Sequence, residues 1–307
     1  MSGLLRFLTG RVLQVVLTLL GVSLVTFALV HAMPGNLAQE MLGREATPER
    51  VRSLTRLLGL DQPWPVQYIR WLALLVSPSD LRGLGALTVP TLELLGIAGS
   101  VALVVALGVA SLQARLRGSR LDRGIGIAAY VLYTLPSFWV GLMLLWWFAD
   151  WLLWLPATGP QPAGQSVAHW WLRMILPVLT LVLATVASWS TLFRAAIEEA
   201  LRSDYVRTAR AKGLSEGQVL RRHALRPAAL PVITVVGMSL PTMFNNVVAI
   251  ELVFAMAGLG SSLVSAVWGL QYGMAGYLVL VIAAVTALGS LLADLLYALA
   301  DPRIQFS

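Results

Sequence analysis

Polar residues that could do chemistry are concentrated in one stretch of this chain, Asp204 to Ile233, which lies between long apolar runs. Its basic side chains are Arg207, Arg210, Lys212, Arg221, Arg222, His223 and Arg226. Such a density of positive charge could bind nucleic acid, contact a partner protein or simply face water. No nucleophile–base pair accompanies these residues, so their chemistry is that of a contact surface and not of a catalytic centre.

Motifs for nucleotide or metal chemistry are absent from the sequence. There is no G-x-x-x-x-G-K-[ST] loop for ATP and no H-E-x-x-H or other tight metal-ligand spacing. His31, His169 and His223 fall in separate connecting segments, which makes a shared site improbable. The serines in Gly258 to Leu263 have no membrane-embedded histidine partner that could activate them. We therefore expect no catalytic residue, no metal and no cofactor in this chain, and no enzymatic activity.

The composition is that of an integral membrane protein. Of 307 residues, 58% are hydrophobic and only 12% are charged, about half the charged share of a globular chain. The mean hydropathy is +0.77, and apolar runs are long enough to cross a lipid bilayer. Cysteine is absent, so no disulfide or thiolate chemistry is expected.

An all-α fold with six transmembrane helices follows from the apolar runs, because about 20 helical residues cross the hydrocarbon core. The predicted spans are 12–30, 91–113, 126–148, 174–194, 229–251 and 277–299. We expect a single permease-like domain over 1–307, which contains the first span (1–30), an outer loop (31–90) and a five-span core (91–307). The first span is too long for a cleaved signal peptide and is predicted to stay as an anchor.

The positions of Lys and Arg predict the orientation. With the N-terminus in the cytoplasm, most of these residues fall in inner segments, mainly around 115–123 and 194–226. Both termini are therefore predicted to be cytoplasmic. This topology also accounts for the net charge of +7 without any nucleic-acid partner.

The outer loop is expected to contain two short helices. Thr47 followed by Pro48 is typical of a helix start, and Gly59 of a helix end. A second helix after Pro65 has Tyr68 and Trp71 on one side. Helices with this aromatic, amphipathic pattern commonly lie on the membrane surface, and we expect the same here.

The stretch from Arg194 to Pro227 is predicted to form a helix–turn–helix hairpin at about 195–228. Helix-favouring residues continue from Arg194 to Arg210 without a breaker, and Gly213 is placed as a helix stop. Ser215 with Gln218 has capping-box spacing for a second helix, which Pro227 is expected to end. A passive, solvated basic loop is the alternative. Two capped helices favour a rigid projection that transmits force from a partner.

A polar stripe is predicted on the fifth span. Ser239, Thr242, Asn245 and Asn246 recur at three- to four-residue steps on an otherwise apolar helix. Such a stripe can line a substrate pathway or hold helices together, and we favour the pathway. Near the outer end of this span, Glu251 could meet a cationic part of a substrate or reach the lipid headgroups.

The sequence resembles the permeases of binding-protein-dependent ABC importers, in the dipeptide, oligopeptide and nickel branch. The resemblance rests on "DYVRTARAKGL" at Asp204–Leu214, which is similar to the "EAA" loop of these permeases, on Glu199-Ala200, and on Leu230-Pro231. Further similar blocks are "GVSLVTFALVHAMPG", "TPERVRSLTRLLGLDQPWPVQYIRWL", "PTLEL", "LPSFWVGL", "LPVLTL" and "DPRI". Together they extend along almost the whole chain.

The resemblance implies a transport subunit of the inner (cytoplasmic) membrane. Its expected partners are two ATPase subunits that bind ATP and Mg, a second permease subunit in a heterodimer, and an extracytoplasmic solute-binding protein. The implied ATPase-coupling residues are Glu198, Glu199, Ala200, Asp204, Tyr205, Arg207, Thr208, Ala209, Ala211, Lys212, Gly213, Leu214 and Ser215. Substrates of this branch include peptides, nickel and metal chelates. A self-sufficient secondary carrier or channel is the alternative, although the spans lack the buried charged relays that such carriers commonly use.

Two departures from the family pattern lie on the outer side. Pro34-Gly35-Asn36-Leu37 stands where the family often has P-G-D-P. "FAMAGLG" at Phe254–Gly260 has Ala257 in place of a proline. They bear on substrate or gating detail and leave the expected coupling to an ATPase unchanged.

Overall fold

A computed structural model describes residues 2–32, 37–75, 78–159, 164 and 166–300. Within these residues the chain is helical and contains no strand. Helix α1 (Ser2–Ala32) contains the first span. It is followed by the outer elements: α2 (Leu37–Leu42), a 3-10 turn (Gly43–Glu45), α3 (Pro48–Leu58) and α4 (Trp64–Leu75). The core helices are α5 (Pro78–Arg115), α6 (Arg120–Thr134), α7 (Ser137–Leu145), a π-helical turn (Trp146–Trp151), α8 (Val167–Leu201), α9 (Asp204–Ala211), α10 (Glu216–Val219), a π-helical turn (Leu220–Ala224), α11 (Leu225–Val253), α12 (Leu259–Trp268) and α13 (Tyr272–Ala300). The family-like residues Pro34–Asn36 and "DPRI" lie outside the described residues.

The number of spans agrees with the prediction. Among the described residues, five helical segments are long and apolar enough to cross a membrane: Thr9–Ala32, Gly83–Arg115, Val167–Leu201, Glu216–Val253 and Tyr272–Leu295. The bent pair α6 and α7 is a sixth if it counts as one span. The all-α, six-span class is therefore confirmed.

The third span is not the single helix that we predicted over 126–148. Helices α6 and α7 are separate and meet at an angle of 101°. Leu135 adopts an extended conformation (φ −79°, ψ 134°), and Pro136 occupies the N-cap position of α7. A residue before proline is disfavoured in the helical conformation, which explains the break.

The second span begins earlier than predicted. Helix α5 starts at Pro78 and passes through Pro90, so the helix that contains the second span begins before residue 91. A proline removes one backbone donor, so Pro90 leaves the carbonyl of Ala86 without its usual helical partner. Thr88 donates to the carbonyl of Leu84 at 2.7 Å, just before Pro90.

Helix α8 lies at the centre of the main core and packs against α5, α6, α7 and α11. On α5 the residues that face this core recur every four positions and are nearly all alanine. They are Leu94, Ala98, Ala102, Ala106 and Ala110, all fully buried. Small side chains at this spacing let two membrane helices approach closely, so the α5–α8 pair is the frame on which the other helices are arranged.

The outer helix α3 is capped as predicted, whereas α4 uses its aromatic face differently. Thr47 caps α3 by accepting from the Arg50 amide, and Gly59 ends it at φ +67°. On α4, Trp71 is buried and packs with Phe27 of α1 and with Tyr277 of α13. The aromatic side that we expected at the membrane surface therefore contacts other parts of the protein.

Candidate functional site

The predicted hairpin is present, but its first helix is interrupted. Helix α8 ends at Leu201 and α9 begins at Asp204, so the continuous helix expected from Arg194 to Arg210 is wrong. Ser203 is extended (φ −68°, ψ 153°), and its hydroxyl donates to the carbonyl of Ala200 at 2.6 Å. Serine competes with the helix for backbone hydrogen bonds in this way, which is why it favours helix ends.

The turn of the hairpin confirms two sequence predictions. Gly213 lies at φ +82°, and its amide donates to the Arg210 carbonyl at 2.9 Å. Ser215 and Gln218 form the predicted capping box, in which the Ser215 amide donates to the Gln218 side chain at 3.1 Å. A left-handed glycine and a capping box together define the direction of the chain through the turn.

A small apolar core holds the two arms of the hairpin together. It contains Val206, Ala209 and Val219, with Leu201 and Leu214 packed against them. Ala209 is only 4% exposed. Of the expected coupling residues, Ala209 is therefore part of the internal packing and has little surface to offer a partner.

An ion pair also crosses the turn. Arg210 donates to both carboxylate oxygens of Glu216, at 2.8 and 3.0 Å. The hydrogen bond to Glu216 raises the pKa of Arg210 above its usual value. Exposed pairs contribute little stability, but two parallel bonds in this geometry restrict the relative orientation of α9 and α10.

The exposed part of the hairpin surrounds the turn and α9. The exposed members of the predicted coupling set are Glu199, Asp204, Tyr205, Arg207, Thr208, Ala211, Lys212, Gly213 and Ser215. Glu198, Ala200 and Leu214 are half-buried. Polar and aliphatic side chains with one exposed aromatic ring, Tyr205, thus form a surface suited to a protein partner.

The second arm continues into the fifth span, contrary to the prediction that Pro227 ends it. Residues Glu216 to Val253 form one helical segment. Its π-helical turn, Leu220–Ala224, is closed by a hydrogen bond from the Leu225 amide to the Leu220 carbonyl. A proline ring clashes with the carbonyl four residues before it in a regular helix, and the wider turn relieves that clash at Pro227. The hairpin is therefore joined to the fifth span without a flexible linker.

The polar residues of α11 divide into two groups. Ser239 accepts a hydrogen bond from the Trp189 indole of α8 at 2.9 Å, and Asn246 accepts one from Ser137 of α7 at 3.1 Å. Thr242 and Asn245 are exposed. The first pair holds helices together, whereas the second pair leaves polar groups on an uncovered face.

Glu251 lies inside the protein and so does not reach the lipid headgroups; its contact with a cationic part of a substrate stays a prediction. Its side chain is fully buried and accepts hydrogen bonds from the Thr91 hydroxyl of α5 at 2.6 Å and from the Ser261 amide at 2.9 Å. The Leu259 amide in turn donates to Thr91 at 2.9 Å. Glu251 therefore joins α5, α11 and the first turn of α12, where the unpaired amides of a helix favour a carboxylate.

Sequence reasoning missed a charged cluster beside the hairpin. Arg194 of α8 donates to both carboxylate oxygens of Asp122, at 2.6 and 3.0 Å, and to Glu198 at 2.8 Å. The local sequence contains one signal for it, since Ser119 and Asp122 have the spacing of a helix start, and Ser119 does cap α6. Nothing local connects Asp122 to Arg194.

Taken together, the spans and the hairpin define a class of protein: a multi-pass membrane protein with a structured helical hairpin between two of its spans. The chain belongs to the family of binding-protein-dependent transport system inner membrane components. The model of that family matches residues 102–306, and the model of its N-terminal part matches residues 4–98. The protein is thus a transport permease subunit of the cell membrane.

Relatives of known description cover nearly the full length. A probable peptide ABC transporter permease protein of Sinorhizobium fredii is 32% identical over 310 residues, which is 98% of this chain and 99% of the relative. A dipeptide transport system permease protein of Alkalihalophilus pseudofirmus is 31% identical over 99% of this chain and 100% of its own. An oligopeptide transport system permease protein of Bacillus subtilis is 29% identical over 98% and 99%.

A solved structure supports the fold. A chain of the MetNI methionine ABC transporter, in an inward-facing conformation, matches with a TM-score of 0.60. The match covers 74% of this chain and 100% of that chain, at 15% sequence identity. At this identity the likeness concerns the architecture alone.

Proposed function

We propose that this chain is one permease subunit of an ATP-driven importer that carries peptides or peptide-like solutes, and that the hairpin at about 195–228 couples it to a separate ATPase. The observation that carries the proposal is the construction of the hairpin. It has capped ends, an internal core and an exposed surface, and it continues directly into α11. A projection of this kind transmits a displacement at its surface into a span, whereas a passive loop would absorb it.

The proposed assembly contains four further subunits. Two ATPase subunits bind ATP and Mg and dock on the hairpins, a second permease subunit completes the pathway as a heterodimer, and a binding protein delivers the solute from outside. The exposed α11 face with Thr242 and Asn245 is consistent with a pathway that this chain only half encloses. Both termini and the hairpin are placed in the cytoplasm on the basis of the Lys and Arg distribution.

Peptides are the favoured solute class because the three relatives are described as peptide, dipeptide and oligopeptide permeases. Metal chelates share the size and polarity of short peptides and remain within the proposed class. Nickel is less well supported as a solute, because none of these three relatives is described as a nickel permease.

Cross-linking tests the coupling role. The natural chain has no cysteine, so a single cysteine at Ala211, at the end of α9, would react only there. In membranes of cells that contain all subunits, we expect a bifunctional thiol–amine reagent to link this position to an ATPase subunit. A cysteine at Trp268, which is 83% exposed in α12, is the matched control and should capture no ATPase.

The cross-linking result, combined with an uptake assay and purification, separates the proposed importer subunit from the alternative of a self-sufficient carrier. Capture of no nucleotidase from Ala211, together with solute uptake by vesicles that contain this chain alone, would identify a self-sufficient carrier. Recovery of a distinct permease and ATPase with the purified chain in mild detergent would support the assembly.

The two asparagines of α11 are expected to behave differently. Asn245→Leu should lower the uptake of labelled di- and tripeptides without changing stability, because Asn245 is exposed. Asn246→Leu removes the bond to Ser137 and should lower the free energy of unfolding by about 0.5–1 kcal/mol, as for other polar contacts between membrane helices. Uptake assays and thermal unfolding followed by tryptophan fluorescence measure the two effects. Equal effects of both changes on stability would contradict the division into two groups.

A further inference from the structure

Helix α6 has an unusual attachment to the rest of the protein. Asp122, 4% exposed, is its single buried residue. Apolar side chains elsewhere on the helix are largely exposed, among them Leu121, Ile127 and Tyr133, each at 66%. Helices are normally held by a buried apolar face. Here the one fully buried side chain is a carboxylate, and Ile125, Ala129 and Leu132 on the same side of the helix are only half-buried, so the partners of the carboxylate help to fix the position of α6.

The carboxylate of Asp122 is bound on two sides. On its own side, the Gly118 amide donates to Oδ2 at 2.9 Å, which holds the α5–α6 connection. From α8, Arg194 donates to Oδ1 and Oδ2 in a two-bond arrangement. Paired bonds between guanidinium and carboxylate are directional as well as strong, so they restrict rotation and sliding of α6 against α8.

Arg194 is itself tied to the base of the hairpin. It donates to Glu198, one turn further along α8, and α8 ends at Leu201 just before the hairpin helix α9. Glu198 lies within 3.7 Å of Arg117 and 3.8 Å of Arg202. The charged cluster therefore extends from the first turn of α6 to the start of the hairpin.

We propose that the Asp122–Arg194 pair is a clamp that makes α6 follow the coupling hairpin when the ATPase displaces it. The inference rests on the proposed function, and it assigns Asp122 and Arg194 as positioning residues for the coupled movement. A buried ion pair is a weak source of stability compared with apolar packing, but it defines one relative arrangement of its two elements. That is the property needed to transmit a displacement to a helix whose single fully buried side chain is this carboxylate.

Spin-label distances within the fully assembled complex test the clamp. Because the chain has no cysteine, cysteines can be placed at Tyr133 of α6, Arg222 in the second arm of the hairpin and Leu288 of α13, all exposed, with partner subunits made free of cysteine. Distances are measured without nucleotide and with ATP and vanadate. In the otherwise unchanged protein, we expect the Tyr133–Arg222 distance to keep one narrow distribution in both states, while both labels move relative to Leu288.

Substitutions in the Asp122–Arg194 pair should uncouple the movement of α6 from that of the hairpin. Asp122→Asn and Arg194→Gln should each broaden the Tyr133–Arg222 distribution roughly twofold, and the double variant should be no broader than Arg194→Gln alone, because both single changes remove the Asp122–Arg194 pair. Arg194→Lys keeps the charge and should give an intermediate width, which provides a readout if a stronger variant does not fold. Arg117→Gln, which changes only the peripheral contact with Glu198, is the matched control and should leave the distribution unchanged.

The outcomes distinguish the clamp from the proposed function. If the hairpin moves against Leu288 and α6 still follows it with the original narrow distribution in Asp122→Asn and Arg194→Gln, the clamp is refuted and the coupling role stands. If the hairpin of the unchanged protein does not move with ATP and vanadate, both proposals fail.

Discussion

Replacing Gly213 by valine is expected to reduce coupled transport at least about tenfold while the protein still inserts into the membrane. Gly213 lies at φ +82°, and no neighbouring atom lies within 4 Å of where a side chain would start. The penalty is therefore conformational and not steric. A β-branched residue in this region costs about 1–2 kcal/mol, which the chain avoids by changing the turn. A changed turn alters the orientation of Ser215 and α10, and this displaces the surface that is proposed to contact the ATPase.

Asparagine at the same position is the matched control, because it tolerates the left-handed conformation far better than valine does. Gly213→Asn should keep most of the transport. Peptide uptake, basal ATPase activity of the purified complex and cross-linking from Ala211 report the effect, and tryptophan fluorescence shows whether the spans are intact. Normal uptake by Gly213→Val would mean that the turn does not position a coupling surface.

The second large effect is expected from Glu251→Ala. This change removes the acceptor of the Ser261 amide and the nearer acceptor of the Thr91 hydroxyl in a fully buried place, so that Thr91 keeps only the long 3.4 Å bond to the Leu87 carbonyl. Removing one partner from a buried polar group costs about 1–3 kcal/mol for each group left unpaired, and more where charge is involved. We expect a loss of about 2–5 kcal/mol in the free energy of unfolding, together with loss of transport, because α12 is no longer fastened to α5 and α11.

Two further changes make this prediction specific. Glu251→Gln keeps one acceptor oxygen and nearly the same size, so its loss of stability should lie well below that of Glu251→Ala. Gly258→Ala should destabilise the same region, because a Cβ atom at Gly258 would overlap the Glu251 carboxylate. Thermal unfolding of the detergent-solubilised protein measures all three variants. A Glu251→Ala protein that unfolds at the original temperature would show that the buried cluster does not hold the outer end together.

Features that depend on a few neighbouring residues could be predicted from the sequence. Gly213 ends a helix and Ser215 with Gln218 starts one because the reasons are local: a permitted left-handed conformation and a hydrogen bond from the Ser215 amide to the Gln218 side chain. Thr47 and Gly59 bound α3 for similar reasons. The six spans could also be counted, since lipid requires long apolar helices regardless of how they pack.

Predictions failed where a local preference competed with longer-range packing. Pro227 was expected to end a helix, but the π-helical turn before it keeps the segment continuous into α11. Pro90 was expected near the start of a span and lies within α5. Arg194 to Arg210 lacked an obvious breaker, yet Ser203 separates two helices there. In each case the free-energy difference between continuing the helix and breaking it is small, so packing against the surrounding helices determines the outcome.

By itself, the sequence determined the membrane class, the number of spans, the turn of the hairpin and the family, since composition, spacing and local backbone chemistry are properties of adjacent residues. Only the tertiary structure decided that Glu251 is buried among Thr91 and Ser261, that Ser239 and Asn246 bond to other helices, and that Asp122 meets Arg194. These partners are separated by 10 to 160 positions along the chain. Which distant groups meet depends on the packing of α5, α8 and α11, and no local pattern carries that information.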